Sequence, residues 1–417
     1  MNAEIITIGD ELLIGQVINT NQAYIAEQLN NAGIYCDRMT TVGDTADVII
    51  DAFSAAFKRA DVVCVTGGLG PTHDDITKKM VCEFFNTALV IHNETLEHIK
   101  ALALQRNIAM IQSNVDQALV PASCTVIPNT VGTAPGMMFE QNGKYFFVMP
   151  GVPFEMKGMV DSWIVPFLMK KNTVSVVRHR TLKTTGIGES MLANEIGDIN
   201  EVIGTDGTTT LAFLPNPMGT KLRITVKETS EDAALVKLQH AENVLRTKAE
   251  KYIYSSDEKD LEDIIGILLK EQSLKLTTAE SCTGGLLANR ITNVSGSSEY
   301  FLGGYVVYQN RLKIEELGVP EKLILDHGAV SKEVAEAMAS GARMSAQADI
   351  ALSTTGIAGP SGGTPQKPVG LCWIGYSDAS STFAMKFNFG DNRLRFKERA
   401  TQAALEMMRR KLLKMQH

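Results

Sequence analysis

Along the first 150 residues, short apolar runs alternate with longer segments in which apolar positions recur at helical spacing. Residues 3–9, AEIITIG, and Asp61–Thr66 read as strands because β-branched and apolar residues follow one another almost without a break. The helical pattern predicts helices over Asn21–Asn31, stopped at Gly33, over Ala46–Arg59, and over Asp74–Phe85 with Asp74 or Asp75 near its start. Strands alternating with helices in this way predict a parallel sheet covered by helices. Gln141-Asn142-Gly143 between apolar segments adds one antiparallel hairpin.

From about Val174 the pattern changes. A strand through His179–Thr184, a short helix at Glu189–Ile196, strands at Thr209–Leu214 and Lys221–Lys227, and a long helix over Ser230–Lys251 describe a small α+β block. The polar run Ser255–Asp260 ends it. After Leu261 the α/β alternation returns: a helix, the strand LKLTTAES, a helix from Gly284, the strand GGYVVYQ, and a helix near Ser331–Ala346. Three strands follow, Asp349–Thr355, Val369–Ser377 and Thr382–Phe389, then a last helix over Arg393–Lys414. Three domains are expected, 1–172, 173–254 and 255–417, and 417 residues exceed what one ordinary core holds.

Composition narrows the class. Hydrophobic residues at 44% and charged residues at 21% are globular values, which excludes a disordered chain or a fibre. No apolar run reaches the roughly 18 residues of a membrane span, and no secretory leader is visible, so a cytoplasmic protein without a membrane partner is expected. A net charge of −7 argues against a nucleic-acid partner and leaves small anions as ligands. The six cysteines are scattered and form no CxxC pair, which speaks against structural zinc and against a disulfide scaffold.

Two constellations carry chemistry. In VVCVTGGLGPTHDD (62–75), Gly67, Gly68 and Gly70 separate a buried strand from a helix, so that main-chain amides can approach a phosphate. Neither a Walker lysine nor GxGxxG spacing is present. The strand at Ile6–Ile8 also ends in glycine and then Asp10 and Glu11. Carboxyl ends of neighbouring parallel strands share one crevice, so Asp10, Glu11, Asp74 and Asp75 could hold a divalent cation for pyrophosphate cleavage. On spacing alone, Asp74 or Asp75 equally reads as a helix cap and Asp10 as a turn residue. His73 has no second histidine at ligand spacing and reads as a loop residue.

The second constellation is Ala279-Glu280-Ser281-Cys282-Thr283-Gly284-Gly285, a turn from strand to helix. It exposes a nucleophile, and the amides around Thr283, Gly284 and Gly285 are unpaired donors for an oxyanion. The C-terminal region offers only His327 and His417 as histidines, so a lysine has to be considered as base. Lys313, with Tyr308 at the end of the preceding strand, completes a Ser-Lys type site. Cys282 is a competing nucleophile; turn, helix-face and core roles are the plain alternatives for all of these. The loop after Thr355-Gly356 suits phosphate or ribose, and Arg393 or Arg395 can grip a phosphate.

GDELLIGQVINTNQAYIAEQL, TGGLGPTHDDIT, NTVGTAPGM and MPGVPFEM together resemble the N-terminal half of the competence/damage-inducible CinA family, which is similar to molybdopterin-binding domains of the MoaB and MogA type. TAESCTGG, GSS, the Tyr-x-Asn-x-x-Lys stretch, HGAVS, TGIAGP and KPVG resemble that family's C-terminal domain and the stand-alone PncC amidases. The resemblance implies a three-layer N-terminal domain, a KH-like middle domain serving as spacer or dimer element, and a C-terminal α/β amidase domain, assembled as a homodimer.

It further implies two activities. One is hydrolysis of ADP-ribose to AMP and ribose 5-phosphate with a divalent metal, on Asp10, Glu11, Gly67, Gly68, Gly70, Thr72, Asp74, Asp75 and Glu155. The other is conversion of nicotinamide mononucleotide to nicotinate mononucleotide and ammonia, without a cofactor, by Ser281, Tyr308 and Lys313 with Thr355 near the substrate. The family shows Gly-Asp-Arg before the last helix, where here Asn392 intervenes, leaving Arg393 and Arg395 as alternatives. The middle block has Gly186-Ile187-Gly188 instead of the GXXG of RNA-binding KH folds. The rival reading of the N-terminal domain is a non-catalytic nucleotide or molybdopterin-binding module.

Overall fold

The structure, a computed structural model, describes residues 1–70, 76–107, 109–171 and 176–415. The chain divides into two compact units, Met1–His179 with Val226–Val236, and Arg180–Thr225 with Lys237–His417.

The first unit is built on a six-stranded sheet in the order Tyr35–Val42, Asn2–Ile8, Val62–Thr66, Lys144–Met149, Gly136–Gln141, Thr125–Ile127. The first four strands are parallel and the last two antiparallel. Side chains alternate across the pleat, so Ile5 and Cys64 enter one core layer while Ile6, Val63 and Val65 enter the other. One layer is closed by Thr20–Asn31 and the helical run 153–171, the other by Ala46–Arg59 and Thr77–Phe84. The expected three layers and the Asn142-Gly143 hairpin are present. The strand Tyr35–Val42 is not foreseen by hydropathy because it is a mostly exposed edge strand, rich in polar residues.

Beyond residue 175 the described chain forms two sheets, the larger wholly in the second unit. The smaller takes the order Thr209–Asn216, Gly219–Glu228, Val176–Thr184, Ile253–Ser255. The larger takes the order Phe301–Val306, Leu276–Glu280, Ile350–Gly356, Leu371–Ser377, Thr382–Asn388; its first three strands are parallel and the rest antiparallel. Leu276, Leu352 and Ile374 pack beneath helices Leu261–Glu271, Leu286–Thr292 and Arg393–Leu412. Ala279 and Ala351 face the opposite layer, under Lys332–Ser345.

Two local expectations need correction. The helix expected from Gly284 begins at Leu286, because Gly284 and Gly285 have φ of +61° and +93°, outside the helical region. The strand expected to reach Gln309 ends at Val306. There the chain leaves the ladder, with the Val307 amide donating to the Glu280 carbonyl at 2.9 Å.

Candidate active site

In the second unit, the carboxyl ends of the three parallel strands converge, the position at which open α/β sheets place ligands. Leu276–Glu280 delivers Ser281, Phe301–Val306 leads to Tyr308, and Ile350–Gly356 ends with Thr355 and Gly356. These residues line a cavity of about 200 Å³, together with Cys282, Asn310, Lys313, Ala358 and Arg393.

Lys313 lies in the short helix Asn310–Leu317 and is 1% exposed. Its Nζ stands 3.2 Å from Ser281 Oγ, 2.9 Å from the Val307 carbonyl oxygen and 3.3 Å from that of Tyr308. A solvated helix face is therefore ruled out for this lysine. Burial pushes its ammonium below the ordinary lysine value, because removal from water disfavours the charged form. Ser281 is itself buried at 9% exposure, so this serine is not laid open to solvent as expected from the turn, although it lines the cavity. Its amide donates to the Thr354 carbonyl.

Tyr308 is half-exposed, and its hydroxyl accepts a bond from the Arg393 guanidinium at 2.8 Å; the same guanidinium donates to the Gly359 carbonyl. Asn392, the residue that interrupts the family pattern, caps the last helix by accepting from the Arg395 amide. Arg393 thereby faces the cavity, and Arg395 is not among the residues lining it. Thr355 Oγ1 donates to the Ala329 carbonyl at 2.7 Å.

The residue that motif reading overlooks is Glu280. It is fully buried, and its carboxylate accepts from Thr283 Oγ1 at 2.7 Å and from the amides of Gly285, Leu287 and Ala288 at 2.9, 3.0 and 2.7 Å. The turn after Ser281 is wound around this one side chain. The Gly285 amide is consequently occupied and does not face an oxyanion, which corrects the expectation of free donors through Gly285. The available signal was a carboxylate at the end of a wholly buried strand, ahead of a helix start. Glu280→Ala would strand several buried donors and is expected to destabilise the folded chain by about 3–5 kcal/mol. A denaturant midpoint unchanged from the parent chain would contradict this.

In the first unit, three strand ends come together backbone to backbone. The Gly67 amide donates to the Met149 carbonyl at 3.1 Å, and a Cβ on Gly67 would overlap the Ile8 carbonyl oxygen. Asn21 ties the ends further, donating to Thr66 Oγ1 and to the Gly151 carbonyl. A side chain on Gly68 would meet Thr77. Asp10 and Asp44 exchange side chain-to-amide bonds at 3.0 and 3.3 Å, while Glu11 curls back over Gly9. Glu155, on the helix Pro153–Met159, accepts from Asn129 Nδ2 at 2.6 Å, which joins two of the motifs recognised in the sequence.

Among the described residues, no three His, Cys, Asp or Glu side chains stand close enough to hold a metal ion. Asp10, Glu11 and Glu155 thus do not form an ion site by themselves. Thr72, Asp74 and Asp75 lie outside the described residues, and Gly70 is the last one before them. A larger cavity of about 570 Å³ in the second unit, between residues 185–189, 215–219 and the last helix, contains none of the nominated residues. No described helix is long and apolar enough to cross a membrane.

Three family models match successive stretches of the chain. Residues 4–170 match the probable molybdopterin binding domain, 179–255 the KH domain of damage-inducible protein CinA, and 258–412 the CinA C-terminal domain. A CinA-like protein of Chloroherpeton thalassium is 46% identical over 98% of this chain and 99% of its own length. A putative competence-damage inducible protein of Caldicellulosiruptor bescii is 44% identical over 99% of this chain and its entire length. The crystal structure of the protein CinA from Thermoplasma acidophilum is 35% identical, covering 41% of this chain and 96% of that one with a TM-score of 0.36. With such identity sustained across all three domains, the chain belongs to the CinA family.

Proposed function

We propose that the second unit is an amidase that converts nicotinamide mononucleotide to nicotinate mononucleotide and ammonia. The observation that carries this reading is the buried pair of Ser281 Oγ and Lys313 Nζ, 3.2 Å apart at the floor of a cavity. Ser281 Oγ attacks the carboxamide carbon while its proton passes to Lys313, which burial keeps receptive. The tetrahedral adduct collapses by breaking the C–N bond, and the nitrogen leaves as ammonia with the proton from Lys313. Water then attacks the acyl-serine, Lys313 takes its proton, and that proton returns to Ser281 as the acid departs. Tyr308 and Arg393 form the outer wall, where a guanidinium suits the nucleotide's phosphate.

For the first unit we propose hydrolysis of ADP-ribose to AMP and ribose 5-phosphate. Gly67 and Gly68 support it by bringing main chain to the strand ends, and Asp10, Glu11 and Glu155 supply carboxylates on that side of the sheet. A divalent cation held with Asp74 and Asp75 would supply charge neutralisation at the pyrophosphate. The described carboxylates do not by themselves make an ion site. The rival is a module that holds a nucleotide without turnover.

Incubating the purified chain with each substrate, with divalent metal or with excess EDTA, tests both parts. Ammonia release is expected to be indifferent to EDTA, and AMP formation is expected to stop. AMP made at full rate in EDTA would refute the metal, and tight ADP-ribose binding without products would favour the rival.

A further inference from the structure

We propose that Cys282 and Cys372 are a reversible thiol–disulfide modification site beside the nucleophile, formed by reaction with a small peroxide. The two Sγ atoms are 4.0 Å apart, and both cysteines are free. Cys282 follows Ser281 directly and lines the same cavity. Cys372, fully buried, sits on Leu371–Ser377 opposite Gly356, the residue at which the neighbouring strand opens on that cavity. Ninety positions separate them in sequence, so only the fold brings them together.

Accessibility orders the chemistry. Hydrogen peroxide can enter a cavity of about 200 Å³, and it meets Cys282 first. The Cys282 thiol attacks a peroxide oxygen: an S–O bond forms, the O–O bond breaks, and the thiol proton leaves with the hydroxide as water. The contact with the Cys282 thiol, and then burial, hold Cys372 well above the ordinary thiol value, so the fully buried Cys372 is the thiol that resolves, not the one that reacts first. Its sulfur displaces hydroxide from the Cys282 sulfenic acid, and the Cys372 proton leaves with that hydroxide as water. In sum, two thiols lose two electrons and two protons, and one peroxide becomes two waters.

A disulfide needs sulfurs about 2.05 Å apart, so bond formation must draw Cys282 toward Cys372. Ser281 is covalently adjacent and depends on a 3.2 Å approach to Lys313. The modification therefore switches off the amidase. This last consequence rests on the amidase reading; the bond itself does not.

The test treats the reduced full-length chain with hydrogen peroxide, quenches it, digests it without reductant and maps peptides by mass. The expected result is a Cys282 peptide linked to a Cys372 peptide, with two hydrogens lost and the link undone by dithiothreitol. Ammonia release should fall about a hundredfold, the scale of a displacement of about an ångström at a reacting atom, and return on reduction. Cys372→Ala should yield no linked pair, and whatever activity it loses should follow a Cys282 sulfenic acid that dimedone traps. Absence of the linked pair from the peroxide-treated parent chain overturns the site, and parent activity that stays full while the pair forms overturns the switch. If that variant fails to fold, recovery of the parent's ammonia release on reduction, in step with loss of the linked pair, takes its place, and activity that stays lost overturns the switch. The peptide map also decides the site where no amidase activity exists at all.

Discussion

Ser281→Ala is expected to abolish ammonia release from nicotinamide mononucleotide, a loss of about a thousandfold or more, because among the described residues Ser281 supplies the one hydroxyl hydrogen-bonded to Lys313 Nζ, at 3.2 Å. Cleavage of ADP-ribose should continue at the parent rate, since Gly67, Gly68 and the carboxylates around them belong to a separate compact unit. Ammonia and AMP assayed on one preparation check both halves. Equal loss of the two activities in a folded variant would refute independent sites. A substantial residual amidase would move the nucleophile elsewhere, with Cys282 the next group in the cavity.

Lys313→Met should lower turnover by about two to four orders of magnitude at neutral pH. The pH profile separates a base from a packing residue. Burial lowers the lysine's proton affinity, so the neutral, proton-accepting fraction grows as pH rises through that lowered value. Activity of the parent chain should therefore climb along an acid limb that lies below the range of an ordinary lysine. In Lys313→Met the residual rate should lose that limb. An acid limb of unchanged position in the variant would assign it to another group, and an unchanged rate would remove the lysine from the reaction.

How much of this was legible beforehand depends on the range of the contacts involved. The strand-to-turn sequence at Thr277–Gly285 announces itself locally, through a buried strand broken by small polar residues and two glycines. Lys313 stands within one helix of Tyr308, so its candidacy was readable. Its burial was not, because that depends on carbonyls offered by Val307 and Tyr308 after the chain leaves the sheet. Glu280 shows the same limit. As a letter it is part of a motif; as a group it is the acceptor for four donors, a role set by three-dimensional closure of the turn. In the first unit, Gly67 was recognisable as a loop glycine, while its contact with Ile8 and Met149 reflects strand order. The strand Tyr35–Val42 escaped because an edge strand with a wet face carries little apolar signal.

The Glu280 carboxylate at the heart of the Ser281 turn also bears on motion. With its donors fixed on a single fully buried acceptor, that segment should belong to the last part of the domain to open, showing slow amide exchange at Leu287 and Ala288. Tyr308 and Arg393 are exposed, and their side chains are held by two hydrogen bonds, one to each other and one to the Gly359 carbonyl. Breathing of the cleft should therefore be greater at its rim than at its floor.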